Sequence, residues 1–162
     1  MARANQGRPA AGPPIARVFA QSDQARRAIE ALESAGVDAA AISVIARSPG
    51  DAETLERATG ASEDLEDVTQ RRRRLEQFVD WLGRVESVAV PGFGALLVTG
   101  DLRQDLSVGG SGRGAITGAL VGIGVSVDEA AELERAVYDG HILLVVHGRY
   151  DAAAARDVLA RV

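Results

Sequence analysis

Apolar residues fall along this chain in two rhythms, and the switches between them divide it into elements. Residues 15–20 (IARVFA) form a short apolar run of the kind that makes a buried strand. Ser22 or Asp23 then stands where an N-cap belongs, and Ala25, Ala28, Ile29 and Leu32 recur at helical spacing as far as Gly36. That pattern predicts an amphipathic helix closed by a C-terminal glycine. The β-branched residues Ile42, Val44 and Ile45 predict a second strand within residues 40–47. Strand, helix and strand at this spacing read as a βαβ unit whose strands lie parallel with a right-handed crossover. Pro49 and Gly50 end it, and a short helix is expected over residues 51–59, around Leu55 and Ala58, closed by Gly60.

Between Ser62 and Val85 the positions Leu65, Val68, Leu75, Val79 and Leu82 are spaced by three, four or seven, which predicts a long second helix. Glu63, Asp64, Glu66 and Asp67 lie in its first turns, where the helix dipole favours acids, and Asp67 is placed to pair with Arg71 at i,i+4. Arg72 falls on the apolar stripe and is expected to snorkel. Pro91 and the glycines at 92, 94 and 100 then interrupt an apolar stretch, leaving an extended segment around Ala95 to Thr99. After a glycine-rich loop, Gly109 to Gly114, the chain runs into the apolar AITGALVGIG. Ser126 and Glu129 have capping-box spacing, so a helix is expected from Val127 to Tyr138 with Gly140 as its stop. The continuous apolar run of HILLVVHG, residues 141–148, predicts a strand buried on both faces or central in a sheet. Asp151 caps a last helix with Ala154, Ala155, Val158, Leu159 and Val162 on one face.

A faint internal echo links VFAQSDQARRAIEAL to VVHGRYDAAAARDVL: each is a strand followed by an alanine-rich helix that begins at an aspartate. It suggests that the two ends of the chain build one sheet. The expected fold is α+β, a ferredoxin-like two-layer sandwich with a small mixed sheet formed by residues 15–20, 41–46, 95–99 and 141–147. Residues 1–14, rich in proline and glycine, read as a disordered lead-in, and residues 15–162 as one domain with a helical, glycine-rich insertion at about 48–125.

Composition narrows the function. All 18 basic residues are arginine and the net charge is -5, so a general nucleic-acid binder is not expected; the basic block Arg71 to Arg74 is flanked by acids on both sides. There is no cysteine, hence no disulfide framework, thiolate nucleophile or cysteine zinc site, which fits a cytoplasmic setting. The first 20 residues lack the apolar core of a secretory signal, and no run reaches the roughly 18 apolar residues that span a bilayer.

Three stretches taken in order, RVFAQSDQARRAIEALESAGVDAAAISVIAR, VPGFGALLVTGDL and ALVGIGVSVDEAAELERAVYDGHILLVVHG, make the chain similar to the bacterial general stress protein family of heat-induced, YflT-like proteins. The resemblance covers about residues 15 to 148. It implies a small stress-associated protein, soluble or membrane-peripheral, without an established catalytic residue set. The charged helix carrying RRRR stands where that family has a glycine- and alanine-rich one, a departure that bears on any membrane association taken from the family.

The glycine-rich passage admits three chemistries. A phosphate site would use Gly110, Gly112, Arg113 and Gly114 ahead of a helix N-terminus, but there is no lysine and no Walker pattern. Membrane contact would use the uncharged stretches 87–100 and 114–127, each too short to span and poor in interfacial aromatics. Packing would use Gly114, Gly118 and Gly122, which recur every four residues on one helical face and allow close approach within one subunit or between subunits, with Gly92 and Gly94 as further candidates. The packing reading accounts best for glycines in a helix. His141 and His147 bracket the last strand about 20 Å apart, at ~3.3 Å per residue, too far to share a metal ion. Asp128 with Glu129 and Glu132 with Glu134 read as solvated carboxylates on exposed helix faces. The expectation is a non-enzymatic, self-associating or partner-binding module, a homo-oligomer with no cofactor and no metal. A nucleotide- or phosphate-binding regulatory domain and a membrane-peripheral protein are the alternatives.

Overall fold

A computed structural model of the chain describes residues 12–47, 65–83, 85–90, 94–108 and 114–162. Within them lie β1 (Ile15–Phe19), α1 (Ser22–Ser34), β2 (Ile42–Arg47), α2 (Leu65–Leu82), β3 (Glu86–Val90), β4 (Gly94–Val98), α3 (Leu102–Val108), α4 (Ala115–Gly122), α5 (Val127–Tyr138), β5 (Ile142–Val146) and α6 (Ala152–Arg161). The fold is α+β. One five-stranded sheet has the order β1-β5-β2-β4-β3, and every neighbouring pair is antiparallel.

β5 sits between β1 and β2, so the two strands of the expected βαβ unit do run parallel to each other but are not hydrogen-bonded to each other. The pairing of β1 with β5 joins the two ends of the chain in one sheet, as the sequence echo suggested. All five residues of β5 are buried, and their alternation feeds two separate cores. Ile142, Leu144 and Val146 face α1, α2 and α6, packing with Ala28, Leu32, Phe78, Ala155 and Leu159. Leu143 and Val145 face the opposite side and pack with Leu102, Ile116, Leu120, Ala130 and Val137 of α3, α4 and α5. Helices therefore cover both faces and the molecule has three layers, where a two-layer sandwich was expected. The described residues of the span 48–125, expected as an insertion, supply β3, β4 and much of the second core.

Local signals account for several helix ends. Gly36, Gly124 and Gly140 take φ values of 88°, 107° and 94°, and the amides that follow them fold back on Leu32, Leu120 and Ala136. Ser126 accepts the Glu129 amide, and Asp151 accepts those of Ala153 and Ala154, as the capping patterns predicted. At α1 the N-cap is Gln21 and makes no side-chain bond; Ser22 lies inside the first turn and is buried there. Strand arginines finish two helices from outside, Arg47 donating to Tyr138 O at 3.0 Å and Arg17 to Leu159 O.

Several expectations differ or fall elsewhere. The glycine-rich stretch after Val85 contains a hairpin, β3 and β4, and the helix α3, of which only the second strand was expected. Arg72 holds its guanidinium in solvent, where it pairs with Glu76 at 2.9 Å. The helix expected over 51–59, the body of the N-terminal lead-in and the Asp67–Arg71 pair lie outside the described residues or side chains.

The N-terminal strap has one anchor with a measurable consequence. Gly12 donates to Gly148 O at 3.0 Å, and the buried Tyr150 phenol donates to Pro13 O. Burial raises the Tyr150 phenol above its usual 10.0, with the Arg156 charge pulling weakly the other way. A phenol whose folded pKa lies above the unfolded one adds stability that is complete below pH 10 and fades as pH rises through the folded value. Thermal midpoints measured across this range are expected to fall on the alkaline side, and Tyr150→Phe is expected to make that fall shallower. An unchanged slope in the variant would show that Tyr150 does not carry the dependence.

Candidate interaction surface

The apolar stretch after residue 113 enters α4 through Gly114, whose φ of 106° suits glycine and no other residue well. A helix start leaves amides without intrahelical partners, and here a carboxylate from the next helix takes two of them. Glu134 Oε1 accepts the Gly114 amide and Oε2 the Thr117 amide, each at 2.8 Å. Glu134 occupies the buried stripe of α5 together with Ala130 and Val137, and only 8% of it is exposed. Its expected place on a solvated face is thus corrected. Two neighbours on the α5 stripe are apolar, so burial of the carboxylate is sustained by the amide bonds and the helix dipole it meets.

This arrangement bears directly on the phosphate reading. An anion at a helix N-terminus needs amides that are free to turn toward it, and two of those at α4 are already held by the chain's own carboxylate. Gly110, Gly112 and Arg113 lie outside the described residues.

The glycine stripe is regular, and it faces outward. α4 buries Ala115, Ile116, Ala119 and Leu120. At about 100° per residue Gly114 and Gly118 turn away from these four, and Gly122 lies at the edge of their face. The three glycines are exposed, and a Cβ added at any of them would meet nothing within 4 Å. The expectation that they let segments of one chain approach closely is therefore corrected: α4 docks on its alanine, isoleucine and leucine face. Gly94 opens β4 with a φ of 99° and is exposed, and Gly92 is outside the described residues. No charged residue occurs between Gly114 and Val127. The outward side of this region is accordingly made of Gly118, Val121, Gly122 and Val127, with Val121 39% and Val127 63% exposed.

The close approach that does need a glycine is at Gly100, with φ +77°. A Cβ there would lie 2.7 Å from Ile42 O and nearer still to Ser43 Oγ. Ser43 is fully buried on β2, and its hydroxyl meets His147 Nε2 at 3.1 Å, just past the end of β5. A serine beside a histidine resembles a nucleophile and its base, but a reacting hydroxyl must also be reached by substrate. Gly100 and the sheet enclose this one. The hydroxyl donates to the ring nitrogen or accepts from it according to the tautomer. His141 lies at the other end of β5, with Nδ1 3.1 Å from Ala136 O. Among the described residues no group of three or more His, Asp or Glu is arranged to hold a metal ion, and no helix is long and apolar enough to cross a membrane.

Arg72, Arg73 and Arg74 are exposed on α2, where the Arg72–Glu76 ion pair is half exposed at both ends. Arg26 of α1 lies 4.9 Å over the Trp81 ring, which stacks with Phe78, and also pairs with Glu30 at 3.0 Å. These contacts join α1 to α2.

Comparison with protein-family models, with curated proteins and with solved structures finds no match to this chain.

Proposed function

We propose that the chain is a non-enzymatic association module, a cytoplasmic stress-associated protein that binds a second copy or a partner protein through the outward side of α4. The observation that carries this reading is the uncovered face itself. A helix without a charged residue is normally enclosed, yet α4 turns Gly118, Val121 and Gly122 to solvent with Val127 close behind in sequence. Glycine costs about 1 kcal/mol relative to alanine inside a helix, and nothing within the described chain uses the space it leaves. A partner helix or strand laid against a side-chain-free groove would use it. The link to stress rests on the three ordered stretches that resemble the general stress protein family. Asp128 and Glu129, next to Val127, disfavour an anionic membrane as the occupant.

Gly118→Leu tests the proposal without the confusion of misfolding. The position has open space around it, so leucine is expected to raise monomer stability by about 0.5–1 kcal/mol through helix propensity while blocking close approach. Light scattering at micromolar concentration should show the wild type as a defined oligomer and the variant as a folded monomer. A wild type that stays monomeric, and captures no partner that the variant loses, would remove the proposal.

A further inference from the structure

Helix α4 has little reason to exist by itself. It is eight residues long, against the roughly 12–15 at which an isolated helix becomes marginal, and it contains Gly118 and Gly122. Its N-cap, Gly114, has no side chain to offer the first amides. What it has is Glu134, a buried carboxylate that spans from α5 and closes on the amides of residues 114 and 117. Its other support among the described residues is the buried face Ala115, Ile116, Ala119 and Leu120 and the Thr117 hydroxyl, which donates to Ala130 O at 3.5 Å. The β5 strand, by contrast, is paired on both sides and fully buried.

We propose that Glu134 is a latch on α4. Its carboxylate, more than the helicity of residues 115–122, decides whether α4 is formed, so α4 opens as a unit while the sheet stays intact. Opening removes the outward glycine and valine face, so the latch controls when that face is presented; this consequence rests on the association reading above, whereas the latch itself does not.

Hydrogen exchange on the full chain, read by mass spectrometry in peptides covering 114–124 and 142–146, tests it. Charge-assisted bonds to two amides set the scale, and Glu134→Gln is expected to speed exchange in the first peptide about tenfold or more with the second unchanged. Glu134→Asp keeps the charge but withdraws it by one methylene, and it should open the same peptide. If both peptides accelerate together, or the whole chain loses protection, Glu134 is an ordinary core support and the proposal falls. It falls too if neither variant moves the first peptide. Light scattering on the same samples separates the two ideas. An oligomeric wild type with unchanged exchange in Glu134→Gln sinks the latch alone. A monomeric wild type whose α4 opens in Glu134→Gln sinks the association reading alone.

Discussion

Gly100→Ala is expected to destabilise the fold by about 2–5 kcal/mol, from one added methyl group. Two causes act together. The backbone at residue 100 has φ +77°, a left-handed conformation that costs a side-chain-bearing residue about 1–2 kcal/mol. The new Cβ would also press on Ile42 O at 2.7 Å, on Ser43 Cα at 3.1 Å and on Ser43 Oγ. The first two are backbone atoms of β2, and β2 is held between β5 and β4, so it has no direction in which to yield. Thr99 tightens the site further: its amide donates to Val44 O at 2.9 Å and its hydroxyl accepts the Val44 amide at 3.1 Å. Denaturant unfolding measures the loss. Adding Ser43→Ala to Gly100→Ala should restore some of it, because the hydroxyl is removed while Ile42 O remains. The same glycine-to-alanine change at Gly118, where a Cβ meets nothing, is expected to stabilise the chain. Equal effects of the two substitutions would show that the packing around Gly100 is not as described.

The contrast between those two glycines shows what was legible in the sequence and what was not. α1, α5 and α6 are announced by bonds that span a few residues, such as Ser126 with the Glu129 amide, and by Gly36 and Gly140 at their ends. β5 declares itself by an unbroken apolar run. The roles of Gly100 and Glu134 come from chain segments far apart in sequence: β4 must lie beside β2 before residue 100 meets Ser43, and Glu134 reaches back 17 and 20 residues. The sequence did hold one sign of Glu134, a carboxylate in step with Ala130 and Val137 on the apolar stripe. For α4 the periodicity of Gly114, Gly118 and Gly122 is as regular as that of Ala115 and Ala119, and spacing alone does not say which row faces the sheet. β3 and α3 offered too little pattern: ESVAV is a short edge strand, and α3 buries only Leu102 and Leu106 among its described side chains.

Leu143→Ala and Leu144→Ala, made separately, are each expected to cost about 2–5 kcal/mol, and the near equality is the informative result. In a strand at the surface of a two-layer sandwich, neighbouring residues point alternately to core and solvent, so one truncation would be severe and the other almost neutral. Here both side chains are completely buried, Leu144 beneath α1, α2 and α6, Leu143 beneath α3, α4 and α5. Each truncation removes apolar contacts and leaves a void in a different core, and β5, paired with β1 and β2, cannot shift to fill either one. The two truncations fall in clusters that have no buried residue in common, so the double variant bears both losses. A sum of that size rivals the ~5–15 kcal/mol that holds a domain together, and the double variant is expected to be largely unfolded at room temperature. Unfolding midpoints for the two single variants settle the layer count: one mild and one severe substitution would mean that a face of the sheet is bare, and two severe ones that helices enclose it from both sides.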